Sequence, residues 1–469
     1  MRKTPFSGRV LLLGFGSIGQ GVLPLLLKHI DLGPDRIQIV TAAENGRSIA
    51  AEYGVPFRVQ PLTEGNYRPL LDELLQPGDF LLNLSVDVAS LDLVAYCADK
   101  NVGYLDTCIE PWPGGYTDPS RSPSERSNYG LWWQSRALKK KLGPGAPTSV
   151  MTHGANPGLV SHFVKQALVN IAQDLGRNAA PPKDRAGWAQ LAQSLGVKVI
   201  HIAERDTQVS PNPKRPGEFV NTWSIDGFIS EGSQPAELGW GSHERHFPGD
   251  GGRHSYGPGC SIYLARPGAS TRVRTWTPQE GPFHGFLITH GEAISIPDYF
   301  TVGDGAKAAY RPTVHYAYHP CDMAVLSVHE LNGKNFHEQK QKRLIVDEIS
   351  EGIDELGVLV AGHAKNAYWY GSQLSIHEAR QLVPHNSATS LQVTAPAMAG
   401  MVWAIENPGQ GIVDPDEIDY ARILELCQPY LGPVVGKYTD WTPLTDRERL
   451  FPEDLDRSDP WQFKNIRVL

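Results

Sequence analysis

The stretch VLLLGFGSIGQGVLPLLL, residues 10–27, decides the fold. It opens with four apolar residues, Val10 to Leu13, cut off at once by glycine. That is the pattern of a short parallel strand buried on both faces. Gly14-Phe15-Gly16-Ser17-Ile18-Gly19 follows and leads into the helical run Gln20 to Lys28. In such a strand, turn and helix the first glycine permits the tight turn, the second lets the backbone approach a pyrophosphate and the third allows close helix packing. The helix N-terminus then turns its positive end to the phosphates. Glycine turns also arise for packing alone, but here the next strand, Ile37 to Val40, completes the unit within about 30 residues. The spacing predicts a dinucleotide-binding Rossmann unit. Arg2 and Lys3 before the apolar run imitate an export signal, yet the glycines and Pro24 interrupt the run and no small-residue cleavage site follows closely.

Outward from this unit, Phe80 to Leu84, Gly103 to Thr107 and Ser149 to Thr152 read as further parallel strands separated by helical stretches. After residue 150 the texture changes. A helix-like run spans Leu159 to Gln173, and alternating segments then lie between glycine and proline turns: Val197 to Glu204, Phe219 to Ile225, Gly285 to Ile296, Thr313 to His319 and Gly357 to Ala361. Such alternation indicates a half-solvated antiparallel sheet. Ser375-x-x-Glu378 is a capping box, and an apolar helix is expected over Ser390 to Glu406. The expected class is α/β: a Rossmann-type parallel-sheet domain over 1–150, and a second α+β domain with a largely antiparallel sheet over 151–384 that binds substrate and dimerises. Helices from about 385–430 are expected to pack back on the first domain, and 431–469 is expected to form a C-terminal tail.

A chain of 469 residues with 41% apolar and 20% charged residues is ordinary for a globular protein of two or three domains. The net charge of −8 argues against a nucleic-acid surface and mildly favours cationic partners. Five scattered cysteines without a CxxC pair read as reduced thiols of a cytoplasmic protein. No window reaches the roughly 18 to 20 apolar residues of a membrane helix.

The expected cofactor contacts are Gly14, Gly16, Ser17, Ile18 and Gly19 in the turn, with Thr41, Asn83, Ser85, Asp87, Thr107 and Asn156 at or beyond the carboxyl ends of the strands, where nucleotides bind. Where an acid usually holds the ribose of NAD the chain reads Val40-Thr41-Ala42-Ala43-Glu44. Glu44 comes late and Arg47 is placed to meet a 2'-phosphate, so residue type leaves NAD and NADP both open.

On the substrate side, an extended Val197 to Asp206 points Ile200, Ile202, Glu204 and Asp206 to one face. Carboxylates ending an apolar stripe either pair with an arginine, Arg205 being nearest in sequence, or hold a cationic ligand. Alternation through Phe219 to Glu231 puts Phe219, Asn221, Trp223 and Ile225 on one face, with Glu231 rejoining it beyond Gly227. Trp223 is then either core filling or a ring face for an alkylammonium. His290 at the end of a strand is either structural or a proton carrier. Glu110 follows a strand of the first domain within reach of the cleft, whereas Asp354 and Glu355 read as a solvated loop before Gly357. His243-Glu244-Arg245-His246 lacks the spacing of HExxH. His315, His319 and Cys321 share a face of a straight strand without a fourth ligand, so no metal is expected.

The runs GFGSIG, NLSVD, EPW, GANPG, HIAERDTQ, FVNTWS with Glu231 beyond it, QPAELGWG, ITH with Glu292 beyond it, YRPTVHYAYHPC, GIDELG, KNAYWYGSQLS, YLGPVVG and TDWTP follow one another along nearly the whole chain. In this order they resemble the bacterial homospermidine synthase family, of the saccharopine dehydrogenase-like superfamily. The resemblance implies a homodimer that keeps NAD bound through an internal redox cycle. Putrescine is oxidised and loses ammonia, a second putrescine condenses with the product, and the stored hydride reduces the imine to homospermidine. Spermidine can replace one putrescine as donor, releasing 1,3-diaminopropane. Carried over by position, the family's substrate residues fall on Asn156, Glu204, Trp223, Glu231, His290 and Asp354, with Glu110 lining the same passage. Glu204 or His290 would take the amine's proton, Glu231 and Asp354 would anchor the distal ammonium, and Trp223 would face the iminium charge. Thr41 departs from the acid that relatives carry for the ribose. The alternatives are a saccharopine dehydrogenase-like or carboxynorspermidine-forming reductase, which needs arginines in the cleft, and a nicotinamide-binding sensor without turnover.

Overall fold

The computed structural model describes residues 3–177 and 180–469. Val10–Leu13 is a fully buried strand at the interior of a seven-stranded sheet in the order Ile412–Val413, Ser149–Val150, Gly103–Asp106, Phe80–Asn83, Val10–Leu13, Ile37–Thr41, Phe57–Val59. Every pairing is parallel. The edge strand Ile412–Val413 comes from the far end of the chain, so this sheet is completed only after the second domain has been made.

The second sheet has eleven strands among the described residues. At its heart Val199–Asp206 lies between Thr313–His319, in parallel register, and Ile353–His363, in antiparallel register. The sheet is therefore mixed at its centre and antiparallel around it. The segment 431–469 is not a tail in form. Val434–Thr439 extends the sheet beside Asn366–Ser375, and Arg467–Val468 pairs with Arg272–Thr277.

Two expected strands and one expected loop change character. Phe219 to Ile225 is a strand only over Glu218–Asn221. Ser224 then caps a helix, Ile225–Ser233, by accepting the amide of Gly227, which removes Trp223 and Glu231 from any common strand face. Gly285 to Ile296 gives way at Phe286, and Glu292–Tyr299 is a helix. Asp354 and Glu355 are no loop: they lie in the strand Ile353–His363, buried to 0% and 3% exposure. Two successive acids in a doubly covered strand imitate a solvated turn because neither face reads as apolar.

Helix Ala388–Glu406 is buried on nearly every side, as an all-round apolar helix must be. It packs on the helix of the glycine turn, Ser17–His29, and touches the strand Ile353–His363, so it joins the two sheets. Just before it, the Asn386 side chain donates to the carbonyl of Gly21 at 3.1 Å, and a Cβ added at Gly21 would lie 2.3 Å from Asn386 Oδ1. Gly21→Ala is therefore expected to cost about 1 to 3 kcal/mol from overpacking, although alanine is the better helix former. Chemical denaturation reads this as a lower midpoint, partly recovered in Gly21→Ala/Asn386→Ala. A midpoint left in place by Gly21→Ala would contradict this packing.

Candidate active site

The three glycines of the turn have separable roles. Gly14 has φ +81°, and a Cβ there would meet the Leu84 carbonyl at 2.6 Å. A Cβ on Gly19 would meet the Gly14 carbonyl at 2.7 Å, whereas one on Gly16 would meet nothing within 4 Å. Gly14 shapes the turn, Gly19 brings helix to strand, and Gly16 leaves backbone bare toward open space, as a pyrophosphate requires. The cleft in front of Gly16 is walled by Ser17, Ile18, Thr41, Ser85 and Asp87 on the Rossmann side. The second domain closes it from across with Ser224, Ile225, Asp226 and Lys342. Asn83 is not on this wall: it is buried and its Oδ1 accepts the Ser85 hydroxyl, so it holds a wall residue in place. Glu44 is exposed and paired with Arg47, whose guanidinium lies 4.8 Å from the Phe57 ring centre.

Ile18, Leu84, Ser85, Val86 and Ser224 also border a second, inner chamber, so the two spaces are contiguous. Thr107, Cys108, Asn156, Glu204, Trp223, Glu231 and His290 line it, together with Tyr316, Thr389 and Gln392. No lysine or arginine is among its lining residues.

Glu204, 3% exposed, ends the buried stripe of Val199–Asp206 and accepts from the Tyr316 hydroxyl at 2.5 Å and from Asn156 Nδ2 at 3.3 Å. Burial lifts its carboxyl to about 8 despite those two donors. Arg205 does not neutralise it, being turned to Glu280 and Asp322 at 3.4 and 3.3 Å. The Tyr316 ring lies 4.6 Å from His290 and stacks on Tyr318 at 5.1 Å. The Tyr318 hydroxyl accepts the indole N–H of Trp223 at 2.9 Å. Trp223, half-buried against Phe228, is thus held at its edge while its ring belongs to the wall.

His290 Nε2 lies 2.9 Å from Glu231 Oε2, and its Nδ1 lies 3.4 Å from Glu292 Oε1 at ion-pair distance without hydrogen-bond geometry. Burial alone would lower the imidazole, but the two carboxylates carry it up to about 10, so it is a cation at neutral pH.

Two expected residues stand off the chamber. Asp354 lies behind Thr389, which contacts its Oδ2, while its Oδ1 has no partner among the described residues. Burial, then Glu204 and Asp206, raise it well above the carboxylate range. Glu110 lines an adjoining cleft with Asp92, Trp112 and Asp118, its Oε2 also unpartnered, and burial followed by Glu231 lifts it to about 8. Tyr316, Tyr318, Thr389 and Gln392 were not singled out in the sequence, and Glu292 was named there only as part of a family run, with no role. Only the tyrosines left a signal there, sharing one face of Thr313–His319 by period two. The histidines of that region do not converge with Cys321: His315 packs on His201, and His319 bonds the carbonyl of Pro320.

Comparison with known proteins bears on both halves. Residues 10–150 match the saccharopine dehydrogenase NADP binding domain, and residues 154–439 match the saccharopine dehydrogenase C-terminal domain. The chain is 53% identical to the homospermidine synthase of Blastochloris viridis, covering 98% of this chain and 97% of the relative. It is also 53% identical to that of Mesorhizobium japonicum, covering 98% and 96%. Among solved structures, homospermidine synthase from Legionella pneumophila in complex with NAD superposes with a TM-score of 0.93 at 50% identity, over 100% of this chain and 99% of the other. Apo saccharopine dehydrogenase from Saccharomyces cerevisiae, at 12% identity, TM-score 0.54 and coverage of 92% and 100%, shares the fold.

The His290 clamp has a measurable sign. A folded-state pKa raised above 6.5 means stabilisation that is complete below pH 6.5 and is lost as pH rises through about 10. In a histidine NMR titration His290 should stay protonated past pH 8, and Glu231→Gln should bring its midpoint down by about one unit or more. A midpoint near 6.5 in the unaltered protein would show that the carboxylates do not hold the proton.

Proposed function

The chain belongs to the homospermidine synthase family, and from that membership we infer that it condenses two diamines to sym-homospermidine in an NAD-dependent cycle without net consumption of the cofactor. Putrescine, or spermidine as alternative donor, is oxidised and loses ammonia or 1,3-diaminopropane. A second putrescine adds as an imine, which is reduced. The observation that carries this reading is the chamber wall: carboxylates, a clamped imidazolium and an indole, with neither lysine nor arginine among its lining residues, directly beside the glycine turn. A saccharopine- or carboxynorspermidine-type substrate brings carboxylates, and such a wall would repel them.

NAD suits the outer cleft. Thr41 and Asn45 border it, and Arg47, the cation expected to recognise a 2'-phosphate, is already engaged by Glu44 and Phe57. NAD held there would supply the hydride acceptor and donor for the reaction.

The protein's own groups divide the remaining work. An amine must lose a proton before hydride leaves the neighbouring carbon, and of Glu204 and His290 the better acceptor is Glu204. Its pKa of about 8 is poised near neutrality, whereas His290 is held protonated by Glu231 and Glu292. Asn156, bonded to Glu204, fixes the carboxyl that meets the amine. Trp223 offers its ring to the cationic carbon–nitrogen centre as charge develops. Glu231 anchors the far ammonium. Asp354 acts from behind Thr389, and Glu110 belongs to the acidic approach. Enclosure of the chamber protects an imine from water.

A cytoplasmic, homodimeric enzyme fits five free cysteines and the large exposed side chains Leu450 and Phe451, at 81% and 77%. No helix among the described residues is long and apolar enough to cross a membrane.

Incubation with putrescine and substoichiometric NAD should yield homospermidine and ammonia, and absence of diamine turnover would reject the reading. Loss of a charged hydrogen bond in Glu231→Gln should lower kcat/KM by roughly 10- to 100-fold, the equivalent of about 1.5 to 3 kcal/mol. Trp223→Phe should retain more activity than Trp223→Ala, and equal loss in both would argue against a role for the ring face.

A further inference from the structure

Behind the chamber, Asp206 and Asp354 face each other in register across neighbouring strands, both at 0% exposure. The Thr389 hydroxyl lies between them, in contact with Asp354 Oδ2 and 3.4 Å from Asp206 Oδ2. It also accepts a hydrogen bond from Gln208 Nε2 at 2.9 Å. A hydroxyl has one proton to donate and two lone pairs. It can donate to only one of two ionised carboxylates, and the other contact would set lone pair against lone pair. If one acid carries a proton, every valence is used: the carboxylic acid donates to Thr389, and Thr389 donates onward to the other carboxylate.

We propose that Asp206 and Asp354 hold one proton between them through Thr389, and that Asp206 is thereby a positioning residue that sets the charge Asp354 presents to the chamber from behind Thr389. Asp206 takes the negative charge because it holds the donors: Gln208 N at 2.8 Å, Gln208 Nε2 at 3.0 Å and Thr222 Oγ1 at 2.7 Å. Asp354 has only Thr389 and an unpartnered Oδ1. The surroundings agree. Glu204 on the same strand brings a like charge whenever it is ionised and no positive one. Arg205 meets Asp206 only at its main-chain carbonyl and spends its other nitrogens on Glu280 and Asp322. Tyr318 on the adjoining strand, the Cys321 thiol and Gln392 on the covering helix contribute no cation. Burial raises both carboxyls of the pair, and Glu204 and Asp206 push Asp354 up further. This inference rests on the diamine reading only for what meets Asp354; the shared proton stands without it.

Two measurements test it. Difference infrared spectra of the NAD-bound protein without diamine, at neutral pH, should show a protonated-carboxyl band that disappears in Asp354→Asn. The band should also disappear or shift in Asp206→Asn, which relieves the like charge, and in Thr389→Val. It should survive in Thr389→Ser, which keeps the hydroxyl and guards against loss of fold. In kinetics, the pH at which KM for putrescine begins to rise on acidification should move down by about one unit or more in Asp206→Asn, with kcat within about threefold of the parent. An infrared band indifferent to both Asp206→Asn and Thr389→Val overturns the shared proton. An unmoved KM profile overturns the role of Asp206. Absence of any diamine turnover would sink the functional reading and leave the infrared result to be judged on its own.

Discussion

Glu204, Asp206 and Asp354 are buried in adjoining strands, and no lysine or arginine forms an ion pair with any of them among the described residues. A carboxylate in such a place is tolerated only by protonation, by hydrogen bonding or by a counter-charge. The structure uses the first two: Asp206 collects donors, while Glu204 and Asp354 are raised toward their neutral forms. The third is left for whatever enters the chamber. On the proposed reading a diammonium substrate exchanges protons on these acids for its own charge, so binding and deprotonation of the amine become parts of one electrostatic event. On that reading the same uncompensated acids that are a cost to the folded chain are what select a cationic substrate.

That cost requires a rigid frame, and the topology supplies one. The strand Val199–Asp206 is flanked on both sides by long strands, which fixes Glu204 and Asp206 by backbone pairing. The Ala388–Glu406 helix covers the acids with Thr389 and Gln392 and at the same time packs on the helix that opens at the glycine turn. One element therefore sets the distance between the acids and the nucleotide cleft. Gln392 Nε2 donates to the Asp354 carbonyl at 3.0 Å and to Ser372 Oγ at 2.8 Å, tying that helix to the sheet at the level of the chamber.

Much of this was legible where the signal is local. The glycine turn declares itself because strand, turn and helix each leave a short-range pattern, and the Ser375–Glu378 capping box forms as its spacing demands. Glu204 and Asp206 could be placed on one face because period two holds along an uninterrupted strand. Trp223 was misplaced because alternation was followed through Ser224, although that serine, with Asp226 in the next turn, is itself a helix-start signal. Asp354 was illegible for a different reason. An acid in a doubly covered strand looks solvated until the partner strand carrying Asp206 and the distant helix carrying Thr389 are known, and neither is near it in sequence. The role of Glu292 was hidden likewise, since its contact with His290 acquires meaning only once Glu231 arrives from another helix.

The opposing fates of Glu204 and His290 explain how two adjacent titratable groups avoid doing the same task. Both are buried, and burial favours the neutral form of each. His290 is held between two carboxylates and keeps its proton, so it presents fixed positive charge. Glu204 receives only neutral donors, Tyr316 and Asn156, and keeps an adjustable one. Tyr316 stands between them, its hydroxyl on the acid and its ring against the imidazole. A wall that was uniformly anionic would hold a diamine tightly at both ends and give no reason for either nitrogen to become neutral. Placing one clamped cation beside one protonatable acid breaks that symmetry, and on the proposed reading the amine nearest Glu204 is the one that loses its proton and reacts.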